Sequence, residues 1–205
     1  MHVLAAKEGE RLVKAARYAI ELFIINPNFE KEVVSSTLEE FGRPYGVFVT
    51  LEHYPTRSLR GCIGFPRAIA PLGESLVDAA IAAAFEDPRF VSVSKKELDD
   101  LLVEVSVLSS PVLITGGERK RLDSVKVGRD GLMVEYGMQS GLLLPIVAVE
   151  QGWDRKRFLE ETCVKAGMHR NYWSQPKLKL YKFETQLFRE EKPGGKVLEV
   201  KYDKD

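Results

Sequence analysis

The chain has 205 residues, 44% of them hydrophobic, and its 30 Lys and Arg balance 30 Asp and Glu. A chain this long buries roughly 70% of its unfolded surface, and zero formal charge excludes a protein whose main work is neutralising nucleic-acid phosphates. Cys62 and Cys163 stand far apart, which excludes a disulfide framework and fits a reduced, cytoplasmic setting.

Lys7, Glu8, Glu10 and Arg11 break up the first segment, so no secretory leader is expected. The longest apolar run, near 142–149, is too short to span a bilayer, and a soluble monomer is expected. Scarce Asn and Gln beside 29% charged residues resemble thermophile usage.

Leu12, Val13, Ala16, Ala19, Ile20, Phe23 and Ile24 recur at helical spacing over 8–25, and Asn26-Pro27 ends that helix. A weaker helical segment over 35–41 leads to a turn at Gly42. Gly46 to Leu51 reads as a strand, and 59–65 as a second strand pairing antiparallel with it. Pro71 opens a helix whose stripe of Leu72, Leu76, Ala79, Ala80 and Ala83 is narrow enough to press on a sheet. Pro88 stops it, a short helix follows at 95–101, and Val103, Val105 and Val107 alternate with Glu104 and Ser106 as a strand.

Gly116 to Arg121 reads as a connecting loop, with Arg119, Lys120, Arg121, Lys126 and Arg129 either solvated or touching phosphates. Beyond it, 131–136 is strand-like and 141–149 reads as an apolar strand with Pro145 at an edge or bulge. Asp154 caps a helix to Ala166 that Gly167 stops. Alternation over 178–188 gives a long strand, and Pro193-Gly194-Gly195 turns it into a last strand over 197–202. The expected fold is α+β, mainly antiparallel sheet flanked by helices, with a β-β-α-β order read twice.

The least ordinary stretch is Leu59-Arg60-Gly61-Cys62-Ile63-Gly64. Strict strand alternation puts Leu59 and Ile63 on one face and Arg60 and Cys62 on the other. Gly61 and Gly64 leave the main chain bare for a partner strand, a bulge or a ligand.

With this hexapeptide, the segments Gly46 to Leu51, Asp87 to Phe90, Glu104 to Leu108, Gly128 to Leu132, Leu143 to Pro145 and Gly152 to Asp154 make the chain resemble the AMMECR family over roughly 10–185. The resemblance implies an α+β fold in two unequal parts. The larger, about 1–55 plus 115–205, holds both termini. The smaller, about 56–114, carries the Arg-Gly-Cys motif beside a cleft. The resemblance brings no settled activity. RNA modification has been suggested for such proteins, and similar domains occur beside Memo-like and radical-SAM proteins. Ile146 replaces a Glu or Gln common in relatives, and Val91-Ser92 replaces a proline.

Two readings of Cys62 stand side by side. As a nucleophile it would gain from Arg60 about 6.6–6.8 Å away along the strand, a pair worth roughly 2.5 kcal/mol at an effective dielectric near 20, lowering the thiol from about 8.5 toward about 7. As a small hydrophobe it would simply be core. Arg60 either pairs with a carboxylate such as Glu104 or Asp87, or meets an anion in the cleft. His53 is the nearest histidine that could act as a base. Asp87 and Arg89 offer a carboxylate and a second guanidinium, or else only a helix stop.

Cys163 shares a helix face with Leu159 and Ala166 and reads as core. His2, His53 and His169 lack metal-ligand spacing and no phosphate loop is present, so no metal is expected and no cofactor can be named. The candidate site is Cys62 with Arg60, Gly61, Gly64, Asp87, Arg89, Glu104 and His53. It would act on an anionic small molecule or in RNA modification; alternatively the same cleft is a noncatalytic module for a protein or RNA partner.

Overall fold

A computed structural model describes residues 4–201; His2 and Tyr202 lie outside them. The elements, in chain order, are α1 (Ala6–Ile25), α2 (Glu32–Ser35) running into a 3-10 turn (Ser36–Phe41), β1 (Gly46–His53), β2 (Leu59–Phe65), α3 (Leu72–Phe85), α4 (Lys95–Leu98), β3 (Leu101–Leu108), β4 (Val112–Leu113), α5 (Glu118–Asp123), β5 (Asp130–Tyr136), β6 (Gln139–Leu143), α6 (Pro145–Glu150), α7 (Arg155–Lys165), a 3-10 turn (Arg170–Ser174), β7 (Lys179–Glu190) and β8 (Val197–Val200). The fold is mixed α and β, with antiparallel strand pairing. No helix among the described residues is long and apolar enough to cross a membrane.

The chain divides into two compact units, one of residues up to 108 with 186–200, the other built on 109–185. Residues 56–108 thus fall in the same unit as 4–55, where an inserted part over 56–114 was expected. The reason is pairing: β1 takes β2 on one side and β3 on the other, so 59–65 and 101–108 are inseparable from 46–53.

In the first unit the strand order is β2-β1-β3-β7, with β8 on β7. Val47, Val49, Leu51, Val103, Val105 and Val107 alternate toward a core completed by α3 and α1. Eleven of the 14 residues of α3 are buried, which its alanines permit by letting backbones approach: a Cβ on Gly61 would stand 2.2 Å from the Ala83 carbonyl oxygen. On α1, Gly9 receives the ring of Phe188, and a Cβ there would meet it at 2.1 Å. Arg17 grips Glu190 at 2.6 Å, and the same carboxylate accepts the Val103 N–H.

The second unit has the order β7-β5-β6, with β4 on β7. Its core gathers Leu132, Val134, Phe158, Leu159, Cys163, Trp173 and Leu180. Two expectations need correction here. Pro145 opens α6 instead of marking a strand edge, because its fixed φ and missing N–H suit the first helical turn. The 116–121 loop runs into α5, and Arg121 is not solvated: buried, it donates to the carbonyls of Trp173, Gln175 and Leu178. The Asp154 cap stands as expected, accepting the Arg157 N–H at 2.7 Å, and Gly167 takes φ +72° after α7.

Candidate functional site

β2 is the edge strand of the first unit. Its register with β1 runs Gly64 to Phe48, Cys62 to Thr50 and Gly61 to Leu51, then jumps to Leu59 opposite Glu52. Arg60 is the unpaired extra residue of a bulge, which ends the strict alternation read from the sequence. Its guanidinium goes to Glu97 of α4, with Nε 2.5 Å from Oε1 and Nη2 3.1 Å from Oε2, and to the Val91 carbonyl at 2.7 Å. It also lies over the Phe90 ring.

Arg60 is therefore buried and ion-paired with neither Glu104 nor Asp87. Hydrogen bonding from Arg60 holds the Glu97 carboxyl below its usual range. The guanidinium and the thiol have separate partners, so the expected lowering of the Cys62 thiol by Arg60 does not occur. Burial instead pushes that thiol up, with the charges of Glu104 and Asp87 adding to the effect.

Asp87-Pro88-Arg89-Phe90 closes the outer side of β2 at Cys62. The Cys62 N–H donates to Asp87 Oδ2 at 2.9 Å, and Arg89 Nη2 donates to the Cys62 carbonyl at 3.4 Å. Arg89 is fixed in turn by Asp87, from Nε to Oδ1 at 2.9 Å and from Nη2 to Oδ2 at 2.6 Å. These bonds hold the Asp87 carboxyl far below the ordinary carboxylate range. An edge strand that would otherwise offer bare polar groups is satisfied where the cysteine sits.

On the face away from α3, three cross-strand neighbours form a row: Cys62 of β2, Thr50 of β1 and Glu104 of β3. Cys62 is half-buried, and Thr50 Oγ1 donates to its Sγ at 3.4 Å. Glu104 is buried and accepts from Arg189 of β7 at 2.9 Å. Burial, reinforced by the nearby Glu52 charge, raises the Glu104 carboxyl to about 7 despite Arg189. Arg189 also lies 4.0 Å from Glu52, which receives Arg57 at 3.1 Å. One step along β3, on the same face, Ser106 Oγ is buried without a hydrogen-bond partner.

Gly61 faces α3, whereas Gly64 faces the row, where Phe48 leans over it; a Cβ on Gly64 would meet Phe48 Cγ at 2.5 Å. His53 ends β1 on the side where Glu97 lies. The geometry thus separates Arg60, Glu97 and His53 from Cys62, Thr50 and Glu104, with Asp87 and Arg89 on the main chain between them. Sequence reading missed Thr50, Glu97 and Arg189. Ser94-x-x-Glu97 was a visible helix-start signal, and the Ser94 Oγ does accept the Glu97 N–H. Nothing local pointed to Arg189, 85 residues from Glu104. Among the described residues no cluster of three or more His, Cys, Asp or Glu is placed to hold a metal.

Residues 13–188 match the family model described as AMMECR1. Protein MJ0810 of Methanocaldococcus jannaschii is 46% identical over 98% of this chain and 99% of its own length. A protein of Thermococcus gammatolerans is 50% identical over 96% and 97%. A crystal structure of the uncharacterised protein PH0010 from Pyrococcus horikoshii superposes with a TM-score of 0.89 at 48% identity, covering 95% of this chain and 97% of that one.

Proposed function

The chain belongs to the AMMECR1 family, and we propose that it works as an enzyme component whose small-molecule site is the row Cys62, Thr50 and Glu104. Cys62 is the nucleophile in this reading, Thr50 donates to its sulfur, and Glu104, one strand further along the row, sets part of the charge the thiol feels. Arg60, Gly61, Gly64, Asp87 and Arg89 shape the strand that carries the thiol. The observation that carries the reading is a half-buried thiol that accepts a hydroxyl hydrogen bond from Thr50 at 3.4 Å, in one sheet row with a buried carboxyl. A hydroxyl donated to the sulfur favours its thiolate, the nucleophilic form.

Complementation of a deletion strain tests it. Cys62→Ser and Cys62→Ala are both expected to fail while accumulating as folded protein. Full complementation by both variants would remove covalent chemistry by this thiol and favour a noncatalytic module that holds a protein or RNA segment.

A further inference from the structure

We propose that Arg60 forms half of an oxyanion site, completed when a carboxylate or phosphate group of a small molecule binds at the segment 87–93; the inference does not depend on Cys62 acting as a nucleophile. The guanidinium has two edges. On the first, Nε and Nη2 donate to Glu97 Oε1 and Oε2 at 2.5 and 3.1 Å. On the second, Nη2 donates to the Val91 carbonyl at 2.7 Å, and Nη1 is buried without a hydrogen-bond partner among the described residues.

A buried donor left unpaired costs free energy that an acceptor recovers. One carbonyl fills one nitrogen, whereas a group carrying two oxygens on one atom spans Nη1 and Nη2 together, the parallel two-bond fit of arginine to carboxylate and phosphate. Arg89 and Arg60 lie over the same Phe90 ring, 5.4 and 5.6 Å from its centroid, and Asp87 holds Arg89 by its Nε and Nη2 as Glu97 holds Arg60. Two acids thus offset two guanidinium groups, and the ligand is held by directed hydrogen bonds rather than by net charge.

The segment against this second edge is fixed at its ends and loose in its middle. Asp87 ties one end to the Cys62 N–H, and buried Val93 ties the other by donating to the Ala84 carbonyl at 2.9 Å. Between them Val91 is 81% exposed and Ser92 is exposed, so little buried apolar surface resists movement there. Displacing the Val91 carbonyl opens the second edge of Arg60 while Glu97 keeps the guanidinium in place.

NMR titration of the isotopically labelled full chain with sodium phosphate and with sodium acetate, at constant pH and against sodium chloride of matched ionic strength, tests the site. The Arg60 Nε–H and the Val91 and Ser92 amide signals are expected to shift along one saturable curve. Saturation by phosphate points to a phosphorylated ligand, and saturation by acetate to a carboxylic acid. Arg60→Lys keeps the charge but loses the fork, and is expected to weaken binding on the order of tenfold, the contribution of one charge-assisted hydrogen bond. No saturable shift at Arg60 with either anion, or equal affinity in Arg60→Lys, overturns the site. The wild-type signals report the contact directly, so the test stands even where the variant does not fold. Its outcome is separate from complementation by the Cys62 variants.

Discussion

Arg60 reaches across from the β2 bulge to Glu97 of α4, with Nε and Oε1 2.5 Å apart and only 7% of the arginine side chain exposed. The arginine is buried while Glu97 is 28% exposed, and the guanidinium also fixes the Val91 carbonyl. Arg60→Ala removes these charge-assisted hydrogen bonds and is expected to lower stability by about 2 kcal/mol, read from urea unfolding midpoints at unchanged slope. A loss within experimental error would mean that the guanidinium is free for a ligand.

The glycines make a second prediction. Gly61→Ala would drive a Cβ to within 2.2 Å of the Ala83 carbonyl oxygen, and Gly64→Ala to within 2.2 Å of the Val47 oxygen. Both obstacles are backbone and cannot rotate away, so each variant should cost about 2–3 kcal/mol. Thermal unfolding of the two single variants checks this.

Glu104 sets a pH dependence of stability. Its carboxyl rises from 4.5 in the unfolded chain to about 7 in the folded one, so between those values the folded state binds more protons and stability from this group falls as pH rises. The effect is complete above about pH 7 and amounts to roughly 3 kcal/mol at most. Glu104→Gln is expected to flatten that slope; Asp87, shifted the other way, contributes stability above its unfolded value that is lost only in stronger acid. Denaturant titrations of wild type and variant across this range, with parallel slopes, would contradict the assignment.

Thr50 donates to the Cys62 sulfur, which favours the thiolate against the burial that opposes it. Thr50→Val removes the donor at nearly constant shape. The Cys62 thiol should then titrate higher still, seen as an upward shift in the pH midpoint of its alkylation. A downward shift would show that the hydroxyl does not serve the sulfur.

Much of this architecture was legible in the chain itself. Valine alternation on β1 and β3, the alanine stripe of α3 and the Asp154 cap are local patterns whose physics is local, and each lies where its residues indicate. Cys62, Arg60 and Glu104 stood out in the sequence one by one, but the groups that pair with them did not. Alternation put Arg60 beside Cys62, and one bulge residue undid it, since a bulge is set by the register of two strands together. Glu104 was visible as a polar residue among valines, yet its partner Arg189 arrives on β7 from the far end of the chain. Arg121 reads as a solvated loop cation until the carbonyls that hold it are brought in from 173–178.

The most direct test of the thiol and carboxyl acting together is the pH profile of Cys62 alkylation by iodoacetamide in wild type and Glu104→Gln. Charge on Glu104 raises the thiol, so Glu104→Gln is expected to react with a lower pH midpoint than wild type, the two profiles parting most above about pH 7, where that carboxyl is ionised. Superimposable profiles, or a variant with the higher midpoint, would contradict the account.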